Sequence, residues 1–170
     1  MAVNFLIHRV FCSTPGDLEE LRRAFDHQTG AVNEAVGMPR QVLFAPVSCR
    51  PVTLTGLFNA EIRENIRQCS FFVQVLGDSW GPPAAKLQRA FELAVECRDD
   101  PQLPMRGVAL FLEEVPLERC SADVIEFRQS LEKHSECAVS RFQDVEGFQR
   151  LLNDQLTRWL ATLTSTGVLK

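Results

Sequence analysis

No two cysteines in this sequence stand at metal-ligating spacing, histidine is scarce, positive charge is not in surplus, and no apolar run approaches the length of a membrane span. Each shortage removes a class of function. The six cysteines, at positions 12, 49, 69, 97, 120 and 137, are never closer than seventeen residues, so no CxxC-type pair sets two thiolates on one ion and no metal site is expected. Cys12 and Cys69 lie in apolar runs, where a free thiol behaves as a small hydrophobe. That fits reduced thiols of a cytoplasmic protein better than a disulfide framework. The three histidines fall in the first predicted strand (His8) and on charge-rich helices (His27, His134), so no Ser-His-Asp arrangement stands out. Eighteen Lys and Arg against twenty-two Asp and Glu leave a net charge of -4, which argues against a nucleic-acid partner. A basic leader and an apolar run of ~18 residues are both missing, so neither a secretory address nor a membrane partner is expected.

What the chain does hold is core material. At 170 residues, 45% hydrophobic and 24% charged, it reads as one α/β domain over residues 1–170. Strand-like apolar density covers Val3 to Phe11, Gln41 to Val47, Cys69 to Leu76, Gly107 to Leu112 and Ala138 to Phe142. The third of these, from Ser70 to Leu76, is apolar almost throughout and is expected at the centre of the sheet, buried on both faces. Between the strands, apolar residues recur on a helical period. Leu18, Leu21, Phe25, Val32 and Val36 mark a first helix, capped by Thr14 with Pro15 in its first turn and Gly37 at its end. Further helices are expected at about 56–68, 85–98, 121–136 and 145–163. Strands alternating with helices on short connections imply right-handed crossovers and a mainly parallel five-stranded sheet with helices on both faces. Ile7, Phe72, Val75 and Leu110 are expected in its core.

Ligands in such sheets gather at the carboxyl ends of the strands, which nominates three loops. The first is Cys12-Ser13-Thr14-Pro15-Gly16-Asp17, whose hydroxyls, Asp17 and free helix N–H groups suit a phosphate or ribose and equally suit a plain helix cap. Its glycine spacing is neither GxGxxG nor a P-loop. The second, Gly77-Asp78-Ser79-Trp80-Gly81-Pro82-Pro83, offers Trp80 to stack on a flat ring and Asp78 and Ser79 to hold its sugar. Trp80 serves as well to cover the sheet or to dock a partner. Glu113 and Glu114 in the third loop read as a solvated acidic turn. Among the carboxylates, Glu92 on the helix after the Trp80 loop is the one of catalytic interest.

The order of these pieces, VFCSTPGDLEELR, then AEIRENIRQCSFFVQVLGDSWG, then AFELAVE, resembles the TIR-like domain found at the N-termini of large bacterial STAND-type signalling NTPases. The resemblance covers roughly residues 3 to 112. It implies a three-layer flavodoxin-like or TIR-like fold and a signalling module acting by self-association or by docking to a protein partner, with no cofactor required. Through wider kinship with TIR domains and nucleoside deoxyribosyltransferases it also implies an alternative, cleavage of the N-glycosidic bond of NAD or a related nucleotide. In those relatives a helix glutamate is the catalytic carboxylate, and two registers compete here. The Phe91-Glu92-Leu93 match puts it at Glu92, where it would stabilise an oxocarbenium-like centre or act as nucleophile. The Glu-aromatic match puts it at Ala90, and the acid is then lost. On a helical wheel Leu87, Phe91, Ala94 and Val95 share one arc with Ala90 at its edge and Glu92 well away. Ser13, Thr14, Asp17, Asp78, Ser79 and Trp80 are the nucleotide-binding candidates. A receiver domain is disfavoured, because Ser-Thr rather than a pair of acids follows the first strand.

Overall fold

Every residue of Phe71–Leu76 is buried, as a strand with helices packed on both faces requires. The computed structural model describes residues 3–16, 18–48, 60–82, 86–131 and 137–166, with side chains followed to residue 164. Its strands are β1 (Leu6–Ser13), β2 (Val42–Ser48), β3 (Phe71–Leu76), β4 (Gly107–Glu113) and β5 (Ala138–Phe142). They form one sheet in the order β2-β1-β3-β4-β5, with every neighbouring pair parallel and β3 in the middle. The helices are α1 (Glu19–Val32), α2 (Ala60–Arg67), α3 (Leu87–Asp99), α4 (Ala122–Ser130) and α5 (Val145–Thr166).

Alternation along the strands divides the core between two layers. Val10, Cys12, Phe71, Val73, Val75, Ala109 and Phe111 point to α1 and α5, where Phe25, Phe148, Leu152 and Trp159 close over them. Phe11, Phe72, Leu76, Leu110 and Leu112 point to the opposite layer, built from Ile66, Phe91, Leu93, Val124 and Phe127 of α2, α3 and α4. Trp159 stacks on Phe71 with ring centroids 4.4 Å apart, and Phe11 stacks on Phe72 at 5.4 Å. Phe72, Val75 and Leu110 are fully buried, as expected.

Ile7 is not. It is 63% exposed, and Leu6 beside it 68%, because β1 meets β3 only from Val10↔Phe71 onward. From Leu6 to His8 the strand backbone pairs with β2 alone and projects beyond β3, while the Arg9 carbonyl accepts from the Ser70 N–H just before β3. The strand also runs from Leu6 to Ser13 rather than from Val3 to Phe11. Thr14 does not cap α1: the helix starts at Glu19, Leu18 holds the cap position without a side-chain bond, and the Leu18 N–H donates to the Pro15 carbonyl in a preceding turn. Glu19 and Glu20 in the first turn complement the helix dipole instead. After Val32 the helix is π-wound to Gly37 and then 3-10 to Arg40, so the expected end at Gly37 marks the end of the π turn. The polar loop after Ser48 and the expected helix start near Gly56 lie outside the described residues, as does Asp17.

Candidate functional site

The strand order reverses between β1 and β3, and their carboxyl ends define the point where such sheets bind ligands. Here the two loops leaving that point meet. A Cβ built on Gly81 would lie 3.7 Å from Cβ of Pro15, and one on Gly77 would lie 3.6 Å from Cδ1 of Leu18 and 3.0 Å from Oε2 of Glu113. Gly81 has φ of +77°, a left-handed turn that glycine adopts without strain and that brings the loop after β3 back onto Pro15. Pro15 is buried under it. The two loops therefore pack on each other beside the carboxyl ends of β1 and β3.

Trp80 points inward. It is 5% exposed and packs edge-to-face on Phe127 at 4.9 Å, in the layer of α2, α3 and α4. Asp78 is engaged through its backbone carbonyl, which accepts from the Ser121 N–H at the start of α4, and Ser79 Oγ accepts from the Gly81 N–H at 3.3 Å. Arg128, which nothing in the sequence singled out, ties the sheet end together: its Nη2 donates to the carbonyls of Gly77 at 3.0 Å and Glu113 at 2.9 Å. Those two acceptors become neighbours only once β3 and β4 pair, so no local signal marks the arginine.

Ser13 is paired in register with Gln74, and both lie on the Phe72 side of the sheet. The Gln74 Nε2 donates to the carbonyls of Ser13 and Val75, while Ser13 Oγ, Gln74 Oε1 and Trp80 Nε1 are buried without a hydrogen-bond partner. Thr14 stands half-buried beside them. Among the described residues, three buried polar atoms near the carboxyl ends of β1 and β3 thus lack a hydrogen-bond partner.

On α3 the buried arc is Ala90, Phe91, Leu93, Ala94 and Cys97, while Leu87 and Val95 are half-buried. The wheel expectation is corrected by about one residue: Ala90, 3% exposed, lies inside the arc rather than at its edge. Glu92 faces solvent. Its side chain is 47% exposed and sits 3.3 Å from Arg89, whose guanidinium also holds Glu96 at 2.8 Å. These two carboxylates, Glu96 foremost, raise the Arg89 pKa. A surface groove of about 360 Å³ runs between the Trp80 loop, the start of α3 and Asp123 of α4, and it is lined by Trp80, Lys86, Arg89 and Glu92 among others. Of the nominated residues it gathers only Trp80, by an edge, and Glu92. Glu113 is half-buried against Gly77, and Glu114 is exposed and accepts from Gln143 Nε2.

Among the described residues no group of three or more His, Cys, Asp or Glu side chains is placed to hold a metal ion, and no helix is long and apolar enough to cross a membrane. Cys12, Cys69 and Cys97 are buried thiols outside any disulfide, and burial pushes the Cys97 thiol up.

The parallel sheet in the order 2-1-3-4-5, with helices on both faces, defines a three-layer flavodoxin-like α/β protein. No family model matches the chain, and no curated protein does. Among solved structures it is similar to a metal-soaked Flv1 flavodiiron core from Synechocystis sp. PCC6803, at 13% identity and a TM-score of 0.44. The match covers 92% of this chain and 37% of that one.

Proposed function

We propose that this chain is a TIR-like signalling module that acts through self-association or docking to a protein partner, with no catalytic activity of its own and no required cofactor. The observation that carries this reading is the packing at the switch point, where Pro15 meets Gly81 and Leu18 meets Gly77 beside the carboxyl ends of β1 and β3. Two further features support it. The α3 position where the related enzymes carry their acid in one register is the buried Ala90, and in the other it is Glu92, turned to solvent and engaged by Arg89. A carboxylate so placed is solvated and paired, which is the wrong environment for stabilising an oxocarbenium-like centre.

The alternative, an NAD or nucleotide N-glycosidase, has the open groove beside Glu92 and the edge of Trp80 in its favour. One experiment separates the readings. Concentrated protein is incubated with NAD, and free nicotinamide is measured alongside binding of the intact nucleotide. The module reading expects no release and no saturable binding, unchanged by Glu92→Gln. Release that is abolished by Glu92→Gln would establish the enzyme instead, and saturable NAD binding lost in Trp80→Ala would show a surviving nucleotide site and overturn the module reading as stated.

A further inference from the structure

The two edges of the sheet are treated differently. Over Val42–Pro46 of β2 the outward-facing residues are Val42, Phe44 and Pro46, since the Gln41 carbonyl accepts from Leu6 on the β1 side and the direction alternates from there. All three are closed. The Asn33 side chain takes both backbone groups of Phe44, donating from Nδ2 to its carbonyl and accepting its N–H at Oδ1, each at 2.8 Å. Pro46 has no N–H to offer, and the turn at Gly37 lies so close to the Val42 carbonyl that a Cβ there would collide with it. Over this stretch the edge is blocked to another strand.

The β5 edge is open. The Phe142 carbonyl accepts from the Glu114 N–H, which fixes Ala138, Ser140 and Phe142 as the residues bonding to β4. Val139 and Arg141 then aim their N–H and C=O groups away from the sheet. No proline interrupts the strand, Ala138, Val139 and Arg141 are exposed, and Val139 is apolar and 41% exposed.

We propose that this edge pairs antiparallel with the same edge of a second copy, about a twofold axis through Ser140, joining two five-stranded sheets into one. The inference rests on the interaction-module reading and narrows it to one surface. The register follows from the geometry. With Ser140 opposite its own copy, Val139 of each chain faces Arg141 of the other, and both are outward-facing, so each such pair exchanges two backbone hydrogen bonds. All four unpaired backbone donors and acceptors on each edge are thereby used. The same register avoids setting Arg141 directly opposite itself and lays its aliphatic stem over the exposed Val139 of the second copy. Shifting the axis by one residue leaves an outward group without a partner.

The test is sedimentation velocity of the full chain over a range of concentrations. The expected result is a mass rising from 19.2 kDa toward twice that value. Val139→Pro removes one outward donor from each edge and leaves every bond to β4, so it should weaken association at least tenfold while far-UV circular dichroism stays unchanged. Ser140→Cys provides an independent readout. The non-bonded pair at the axis brings the two Cα atoms to about 4.5 Å, within disulfide range. Mild oxidation should therefore yield a reducible dimer cross-linked at that position, absent from the wild-type protein treated alike. A chain that stays monomeric with no cross-link overturns the inference. Association that survives Val139→Pro and gives no cross-link at position 140 also overturns it, while leaving the interaction-module reading standing. Nicotinamide release would defeat that reading without touching the dimer.

Discussion

The Asn33 carboxamide reaches Phe44 because the end of the first helix is π-wound, and that turn docks on β2 only because Gly37 has no side chain to strike the Val42 carbonyl. Two residues four apart thus set both the helix end and the closed edge. His8 shows the same dependence on neighbours in its titration. It is half-buried, with Nδ1 3.1 Å from Ser70 Oγ and its ring 6.3 Å from that of Phe71. Burial first, and then the charge of Arg106, hold its pKa below 6.5. With a depressed folded pKa, the unfolded chain takes up the proton first as pH falls. Stability from this residue is therefore intact above the unfolded value of 6.5 and is lost progressively as pH falls from there to the folded pKa, with no further loss beyond it. The urea midpoint should fall between about pH 7.5 and about pH 5.5, and should fall less in His8→Gln. Equal falls in the two proteins would assign the effect to other groups.

At the scale of elements, the contrast between Phe72 and Ile7 measures what burial contributes. Both are large, apolar and in strands, yet Phe72 is fully enclosed and stacked on Phe11 while Ile7 projects into solvent. Phe72→Ala should lower stability by about 3–5 kcal/mol, and Ile7→Lys should change it by no more than about 0.5 kcal/mol, both read from urea unfolding. A large loss for Ile7→Lys would show that the projecting end of β1 is covered in the folded protein. The pair also marks where sequence reading stops. Strand β3 was legible because burial on both faces leaves an unbroken apolar run, and β5 was legible to its end residues, Ala138 and Phe142. Apolar density could not reveal that β1 outreaches β3 by four residues, since that offset is set by pairing. At the candidate site, Trp80 and Glu92 were legible as residue types in suggestive loops and helices. Their orientations were not. Ala90 lies inside the buried arc because α3 turns slightly from the expected wheel, and Arg128 finds both its carbonyl acceptors, and Gln74 its Ser13 acceptor, only once the strands have paired. Loop closure of Pro15 on Gly81 is likewise a meeting of segments more than sixty residues apart.

Across the whole molecule, one sheet serves two cores. Phe71, Val73 and Val75 belong to the layer of α1 and α5, and Phe72 and Leu76 to the layer of α2, α3 and α4, yet all five are successive or near-successive residues of one strand. Neither layer can lose its packing without exposing a face of β3, and melting β3 strips the other layer of its floor. The chain is accordingly expected to unfold as a single cooperative unit. Its two tryptophans allow this to be tested layer by layer, because Trp159 lies in the first layer against Phe71 and Trp80 in the second against Phe127. In Trp80→Phe the fluorescence reports only the α1 and α5 side, and in Trp159→Phe only the α2 to α4 side. Within each variant the urea transition seen by fluorescence should coincide with that seen by far-UV circular dichroism, in midpoint and in slope. Trp80→Phe should also be the milder substitution, since it removes a buried indole N–H that has no hydrogen-bond partner, whereas Trp159→Phe shrinks a ring stacked on Phe71. Fluorescence and circular dichroism that part company in either variant would mean that the layers unfold separately and that β3 does not couple them.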